Sequence, residues 1–398
     1  MNYAVPISED IFWIGVNDRE TYLFEALWPL PEGVSYNAYI ICDEHVALID
    51  TVKVNSSLSY LDKIEKVLEG TGKTVEYLII NHMEPDHSGS IKLLLKQFPN
   101  IQIIGNAKTA GFLEGFYGIT ENLRIVKDGD TLDLGKHQIK FTLTPMVHWP
   151  ETMMTYDLRD HVLFSGDAFG GFGTLDGGIF DDEVNIAFYE NEIRRYFSNI
   201  VGKFGKPVLN AIKKVSGLDI RVIASTHGPI WRTQTARIIE DYRRWSSHET
   251  EEGVVIAYGS MYGNTERMAD NIARVLAEQG IANIRVFNVS KTHVSYIIND
   301  IWRFKGLILG SCTYNLGLFP PMAALIHTLE NKLMEHRVLG IFGTYSWSGG
   351  GVSALTEFAK RGTWKMVEPI VEAHYAPKAA DIEQCVLLGQ NMAAAVKE

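Results

Sequence analysis

The segment His82-Met83-Glu84-Pro85-Asp86-His87 crowds two imidazoles and two carboxylates into six residues. Buried together, such groups lack partners and repel one another unless a cation gathers them, so the chemistry they suggest is metal ligation. Three more candidates stand further along. They are His148 in Met146-Val147-His148-Trp149-Pro150, Asp167 in Leu163-Phe164-Ser165-Gly166-Asp167-Ala168, and His227 in Ala224-Ser225-Thr226-His227-Gly228-Pro229. Seven ligands exceed the four or so that a single zinc ion takes and suit a pair of ions. The natural division puts His82, Glu84 and His148 on one ion and Asp86, His87 and His227 on the other, with Asp167 bridging through its two oxygens. Each ion then keeps a position open for substrate.

The elements that must hold these residues are strands. The run Val75-Glu76-Tyr77-Leu78-Ile79-Ile80 is apolar and rich in β-branched residues, a buried strand that delivers the 82–87 loop at its C-terminal end, beside a cleft. His148, Asp167 and His227 likewise close apolar stretches of strand character. Other histidines, namely His45, His137, His161 and His336, lack such company and are expected at the surface. At least one of Trp149 and Tyr36, the latter in Tyr36-Asn37-Ala38-Tyr39, is expected to pack the sheet beneath the site. No catalytic residue is assigned beyond the metal ligands.

A second informative segment runs Val254-Val255-Ile256-Ala257-Tyr258-Gly259-Ser260-Met261-Tyr262-Gly263-Asn264-Thr265, from apolar strand into a glycine and hydroxyl loop. A helix follows, with Met268, Ile272, Val275 and Leu276 on one face. Such a loop presents backbone N–H groups and the positive end of the helix dipole to an anion. Ser260 and Thr265 add hydroxyls, and Asn264 is expected to cap the helix. The Gly-Lys-Ser/Thr pair of triphosphate loops and the three-glycine dinucleotide spacing are both missing, so the loop fits a monophosphate. Two further loops follow apolar strands: Ser311-Cys312-Thr313-Tyr314-Asn315 and Gly343-Thr344-Tyr345-Ser346-Trp347-Ser348-Gly349-Gly350. In a doubly wound sheet all three converge beyond the C-terminal strand ends. Tyr314 and Trp347 offer flat faces to an aromatic ring, and the glycines let backbone approach its polar edge.

At 398 residues the chain exceeds what one core usually supports, and 46% hydrophobic with 21% charged residues is ordinary for a soluble globular protein. The polar, acidic stretch 246–253 marks the boundary, giving domains 1–249 and 250–398. The N-terminal residues Pro6, Glu9 and Asp10 do not read as a secretory signal, and no apolar run approaches membrane-spanning length. The three cysteines, Cys42, Cys312 and Cys385, are far apart, which excludes an iron–sulfur or rubredoxin module of usual spacing and fits a reducing cytoplasm. A net charge of −11 argues against a nucleic-acid partner.

The order and spacing of the first ligand set resemble the metallo-β-lactamase superfold, whose hydrolases carry a His-x-His-x-Asp-His loop. Glu84 replaces the second histidine here, and a carboxylate in that place suits iron or manganese more than zinc. The 254–265 segment is similar to the phosphate loop of flavodoxins, which holds FMN. Together, in this order and along essentially the whole chain, the two motif sets resemble the flavodiiron proteins, also called A-type flavoproteins. That resemblance implies an α/β fold: an N-terminal metallo-β-lactamase-like αββα sandwich joined to a C-terminal flavodoxin-like doubly wound parallel sheet.

It also implies that His82, Glu84, Asp86, His87, His148, Asp167 and His227 ligate a non-haem diiron centre. FMN would be held by Ser260, Met261, Tyr262, Gly263, Asn264, Thr265, Ser311, Thr313, Tyr314, Asn315, Gly343, Thr344, Tyr345, Trp347 and Gly349. The activity implied is reduction of dioxygen to water, or of nitric oxide to nitrous oxide, in a cytoplasmic enzyme. Electrons would pass through FMN from a separate donor such as a rubredoxin, a reduced deazaflavin or a flavoprotein reductase. A head-to-tail homodimer, with tetramers as a further step, would set the FMN of one subunit beside the irons of its mate. Many relatives place a histidine in the early segment Tyr22-Leu23-Phe24-Glu25-Ala26-Leu27-Trp28, where this chain has Glu25. The alternative reading is a binuclear zinc hydrolase with a redox-sensing flavin domain, which calls for a histidine at position 84. An inactive scaffold would have lost ligands, yet all seven are present.

Overall fold

The computed structural model describes residues 3–398, and the chain divides into two compact units between Ser246 and Ser247. In the first unit, one sheet runs in the order Val5–Pro6, Ile11–Trp13, Tyr39–Cys42, Val46–Ile49, Val75–Ile79, Gln102–Gly105, Leu123–Ile125. Its last four strands are mutually parallel. A second sheet runs Thr131–Asp133, Gln138–Leu143, Met153–Asp157, Val162–Gly166, Val222–Ser225, with only the last pair parallel. Ile41, Ala47, Ile49, Ile79 and Ile104 of the first sheet share one core with Ile139, Phe141, Phe164 and Ala224 of the second, so the sheets pack face to face. With helices such as Ser57–Leu68 and Gly205–Val215 flanking them, the unit is an αββα sandwich.

The strand Val75–Ile79 sits inside the first sheet, and Val162–Gly166 and Val222–Ser225 close the second. The turns that follow these three strands carry the 82–87 segment, Asp167 and His227.

The second unit is one sheet, parallel in the order Ile284–Asn288, Glu251–Gly259, Phe304–Tyr314, Val338–Tyr345, with Lys365–Met366 and Val371–His374 both pairing with the last and the short Gly317–Leu318 antiparallel to Phe304–Tyr314. This is the strand order of a doubly wound, flavodoxin-like fold, with helices between successive strands. Residues 253–259 are continuously buried, as expected where helices cover both faces. The helix Asn264–Glu278 buries Met268, Ile272, Val275 and Leu276, the face its periodicity predicts. Its start differs from expectation. Gly263, at φ +87°, is the N-cap, and Asn264 is the first helical residue with no capping side-chain bond.

His137 also departs from expectation. It is fully buried, with Nδ1 3.0 Å from Asp157 Oδ1 and Nε2 3.4 Å from Asp10 Oδ2, because these carboxylates supply the partners a buried imidazole requires. His45 and His336 are exposed, and His161 is partly so. Among the described residues no helix is long and apolar enough to cross a membrane.

Candidate functional site

The 82–87 loop is held by buried groups that grip its backbone. Asp50 Oδ1 accepts the N–H of Asn81 at 2.8 Å and of His82 at 3.3 Å, Ser88 Oγ donates to the carbonyls of Met83 and Glu84, and Thr51 Oγ1 donates to that of His87. Burial pushes Asp50 up to about 6, an effect moderated by His87 and these N–H groups. Pro85 opens the short helix Pro85–Ser88, where its fixed φ suits the first turn, and this turns Asp86 and His87 inward.

All seven sequence-derived ligands converge. His82 Nε2 and His148 Nε2 lie 3.2 and 3.1 Å from Glu84 Oε2, and 3.5 and 3.0 Å from Asp167 Oδ2. His87 Nε2 and His227 Nε2 lie 3.3 and 3.4 Å from Asp86 Oδ2, and 3.1 and 3.6 Å from Asp167 Oδ1. One oxygen of Asp167 thus faces each set. Spacings of about 3 Å are those of neighbouring corners in a coordination shell with metal–ligand distances of about 2.1 Å.

The charges confirm that these groups share one unsolved problem. Burial pushes Asp86 up to about 7 and, helped by His87, pulls His227 down to about 4. Burial would also lower His87 and His148, but Asp86 and Asp167 outweigh it for the first and Asp167 and Glu84 for the second, holding both at about 9. Asp167 is held well below the carboxylate range, because His87, His82 and His148 overcome its burial. Both oxygens of Asp86, both ring nitrogens of His87 and Nε2 of His227 are buried without a hydrogen bond. Buried donors and acceptors are seldom left so. Two cations, one per set, would satisfy all of these except His87 Nδ1 and displace the protons, so the residues fit a dinuclear metal centre.

Sequence reasoning missed the residues behind the ligands. Glu151 Oε1 lies 2.8 Å from His82 Nδ1, and Ser35 O accepts from His227 Nδ1 at 2.7 Å. Asn37 clamps the His227 turn: its side chain donates to the carbonyls of Ser225 and Gly228, and its N–H donates to Thr226 O. The hint was there for Glu151, a lone carboxylate three residues past His148. Tyr36 and Trp149 touch the ligands themselves, edge-to-face with His227 and His82 at 5.7 and 5.3 Å between ring centroids. Phe24 and Tyr196 also pack on His227, and the buried Tyr196 hydroxyl makes no hydrogen bond. Nothing in the sequence around Tyr196 marks it.

Glu25 sits in the turn between Leu23–Phe24 and Trp28–Pro29 at φ +51° and accepts the Trp28 indole N–H at 3.0 Å. Although the residue is exposed as a whole, desolvation raises its carboxyl above the ordinary range, and the charge of Glu84 raises it further.

In the second unit the three predicted loops enclose a cleft of about 660 Å³, in the range of small-molecule sites. Ser260, Met261, Tyr262, Asn264 and Thr265 line it from the first loop, Thr313, Tyr314 and Asn315 from the second, and Thr344, Tyr345 and Trp347 from the third. Cys312, Leu316, Ser346, Ser348 and Tyr375 join them. Tyr375 comes from the turn after Val371–His374, and its neighbour His374 stacks on Tyr345 at 4.7 Å. Four predicted residues do not line the cleft. Ser311 and Gly343 lie within their strands, where a Cβ on Gly343 would meet Ser311 O at 2.4 Å. Gly263 shapes the helix start, and Gly349 lies behind the wall, where a Cβ would come 3.4 Å from the Glu372 carboxylate. A helix N-terminus beside hydroxyls, with aromatic faces opposite, fits a flavin carrying one phosphate.

Residues 34–228 match the ODP family beta lactamase, and residues 256–389 match flavodoxin. An anaerobic nitric oxide reductase flavorubredoxin of Escherichia coli is 33% identical over 396 residues, which is 98% of this chain and 82% of the relative. Among solved structures, the rubredoxin oxygen:oxidoreductase of Desulfovibrio gigas aligns with a TM-score of 0.95 at 29% identity, over 99% of this chain and 98% of that one. The flavodiiron protein of Giardia intestinalis aligns with a TM-score of 0.94 at 26% identity, over 99% and 97%.

Proposed function

The chain belongs to the flavodiiron proteins, and from that premise we propose that this oxidoreductase reduces dioxygen to water, nitric oxide to nitrous oxide, or both. Its cofactors are FMN and a non-haem pair of iron ions. The observation that carries the reading is Asp167, whose two oxygens face two matched ligand sets. On this reading His82, Glu84 and His148 hold one iron, Asp86, His87 and His227 the other, and Asp167 both. When bound, the irons supply a gas with single electrons that FMN has accepted in pairs.

The chain's own residues do the rest. Phe24, Phe172 and Tyr196, packed edge-on against one another, keep bulk water from the His227 side. Glu25, whose carboxyl holds a proton more readily than an ordinary one, stands beside Glu84 where a gas would be consumed with protons. At the flavin cleft the N–H groups at the start of the helix Asn264–Glu278 bind phosphate, and Trp347 and Tyr314 cover the ring.

The electron donor is external: a rubredoxin, a reduced deazaflavin or a flavoprotein reductase. The working unit is a cytoplasmic head-to-tail homodimer, with tetramers as a further order of assembly. The apolar side chains Trp347, Tyr262, Tyr22 and Leu27, all exposed in the single chain, support an assembly that covers them.

The test is anaerobic mixing of the fully reduced, iron-quantified protein with oxygen and with nitric oxide, following flavin reoxidation. Fast reoxidation by either gas is expected, and the faster gas names the preference. Reoxidation no faster than that of free FMN, with zinc as the bound metal, would replace this reading by the hydrolase.

A further inference from the structure

We propose that Glu151 makes the two metal positions unequal, so that the position of His82, Glu84 and His148 takes its ion first and gives it up last. The inference rests on the diiron reading above. Each position is offered two imidazoles, one carboxylate of its own and one oxygen of Asp167. With the donors matched in kind, an inequality must come from what stands behind them.

Behind His82 stands a carboxylate. Glu151 Oε1 lies 2.8 Å from His82 Nδ1 and accepts the N–H of Met83 at 2.9 Å, and its side chain is wholly enclosed. Its backbone carbonyl is in turn held by Asn106 Nδ2 at 2.5 Å, and Asn106 is itself fixed as a helix cap. Behind His227 stands the neutral carbonyl of Ser35, and behind His87 nothing, since its Nδ1 makes no hydrogen bond. A carboxylate taking the proton-bearing nitrogen of a ligating imidazole fixes its tautomer and orientation and raises the basicity of the opposite nitrogen more than a carbonyl does. Because Glu151 also anchors the amide just before Glu84, one side chain aligns two of the three donors.

Asp167 adds to the difference. Thr226 Oγ1 donates to Asp167 Oδ1 at 2.6 Å, drawing charge from the oxygen that faces His87 and His227 and leaving Oδ2 the stronger donor toward His82 and His148. Both devices favour the same position.

The experiment uses the full-length wild-type protein, stripped of metal and reloaded anaerobically with Mössbauer-active ferrous iron. One quadrupole doublet is expected to grow to completion with the first equivalent, and a second only with the next. Glu151→Gln, which keeps an acceptor oxygen and removes the charge, is expected to release one iron at a chelator concentration lower by about 10- to 100-fold while the other iron is held as in wild type. Glu151→Asp, which restores the charge, recovers part of that loss. Two doublets growing together in wild-type protein would overturn the proposal whether or not the variants fold. So would a Glu151→Gln protein that holds both irons as tightly as wild type, or loses both alike. Wild-type protein unable to hold two irons would overturn the diiron reading as well, a result visible before any variant is compared.

Discussion

In the N-terminal unit the candidate ligands are buried side chains aimed inward at one another, whereas in the C-terminal unit the cleft is walled by loop tips, with Trp347 88% and Tyr262 90% exposed. The first site stores electrostatic conflict that only cations resolve. The second stores almost none: its recognising groups are backbone N–H donors, hydroxyls and aromatic faces that water solvates well. A preorganised charged site fails wholly when one shared element is removed, while a solvated site built from many weak contacts fails by degrees.

The sharpest way to break that comparison is Asp167→Asn. Each Asp167 oxygen serves a different ligand set, and an amide offers only one acceptor oxygen. Iron content is expected to fall from about two per chain to below one, with gas reduction lost and flavin content unchanged. Iron and flavin assays on the same sample check it, and retention of both irons would show that Asp167 is not shared.

Metal removal probes the stored conflict directly. His87 and His148 are held at about 9, since their carboxylate neighbours outweigh burial, against 6.5 for an ordinary imidazole. These two imidazoles therefore hold more protons in the metal-free native chain than in the unfolded chain above pH 6.5, so the stability they contribute is full below that value and is lost as pH rises toward 9. Denaturant unfolding of stripped protein at pH 6.5 and 8 should show the decline, and iron-loaded protein should not. The C-terminal unit, with no such cluster among its described residues, should unfold with little change over the same window.

The same contrast governs how far the sequence could be read. Histidines and carboxylates at strand ends announce chemistry by type alone, so the seven candidate ligands were legible before any fold was known. Glu151, Ser35 and Asn37 were not, because a group that acts by what it stands behind has no signature of its own. His137 misled for a related reason: in the Lys136-His137-Gln138 turn it reads as exposed, yet Asp157 and Asp10 reach it from distant segments. On the flavin side the three loops were legible but their inner edges were not. The strands run on through Ser311 and Gly343, which pair with each other inside the sheet, so these two positions are strand residues rather than loop tips.

Failure by degrees is tested at Trp347. Removing one stacking ring is worth about 0.5–1.5 kcal/mol, so Trp347→Ala is expected to weaken FMN binding by about 2- to 10-fold and leave iron untouched. Complete loss of flavin would mean that the cleft depends on one contact as heavily as the metal centre depends on Asp167.

The smallest expected effect comes from two glycines that each directly precede a candidate site residue. Gly166 precedes Asp167 at φ +61°, and Gly263 precedes Asn264 at φ +87°. A Cβ on Gly263 would meet nothing within 4 Å, and one on Gly166 nothing nearer than 4.0 Å, so space resists alanine at neither. What resists is the left-handed backbone, which costs an alanine about 1 kcal/mol. Gly166→Ala and Gly263→Ala should therefore lose similar stability in thermal unfolding. They should part at the cofactors: a slight turn of Asp167 disturbs both ligand sets at once, whereas a slight turn of the 260–265 loop costs FMN a few-fold in affinity, roughly the same 1 kcal/mol. Equal retention of iron and flavin in the two variants would mean that the metal centre is as tolerant as the cleft, and that the rigidity attributed to it lies elsewhere.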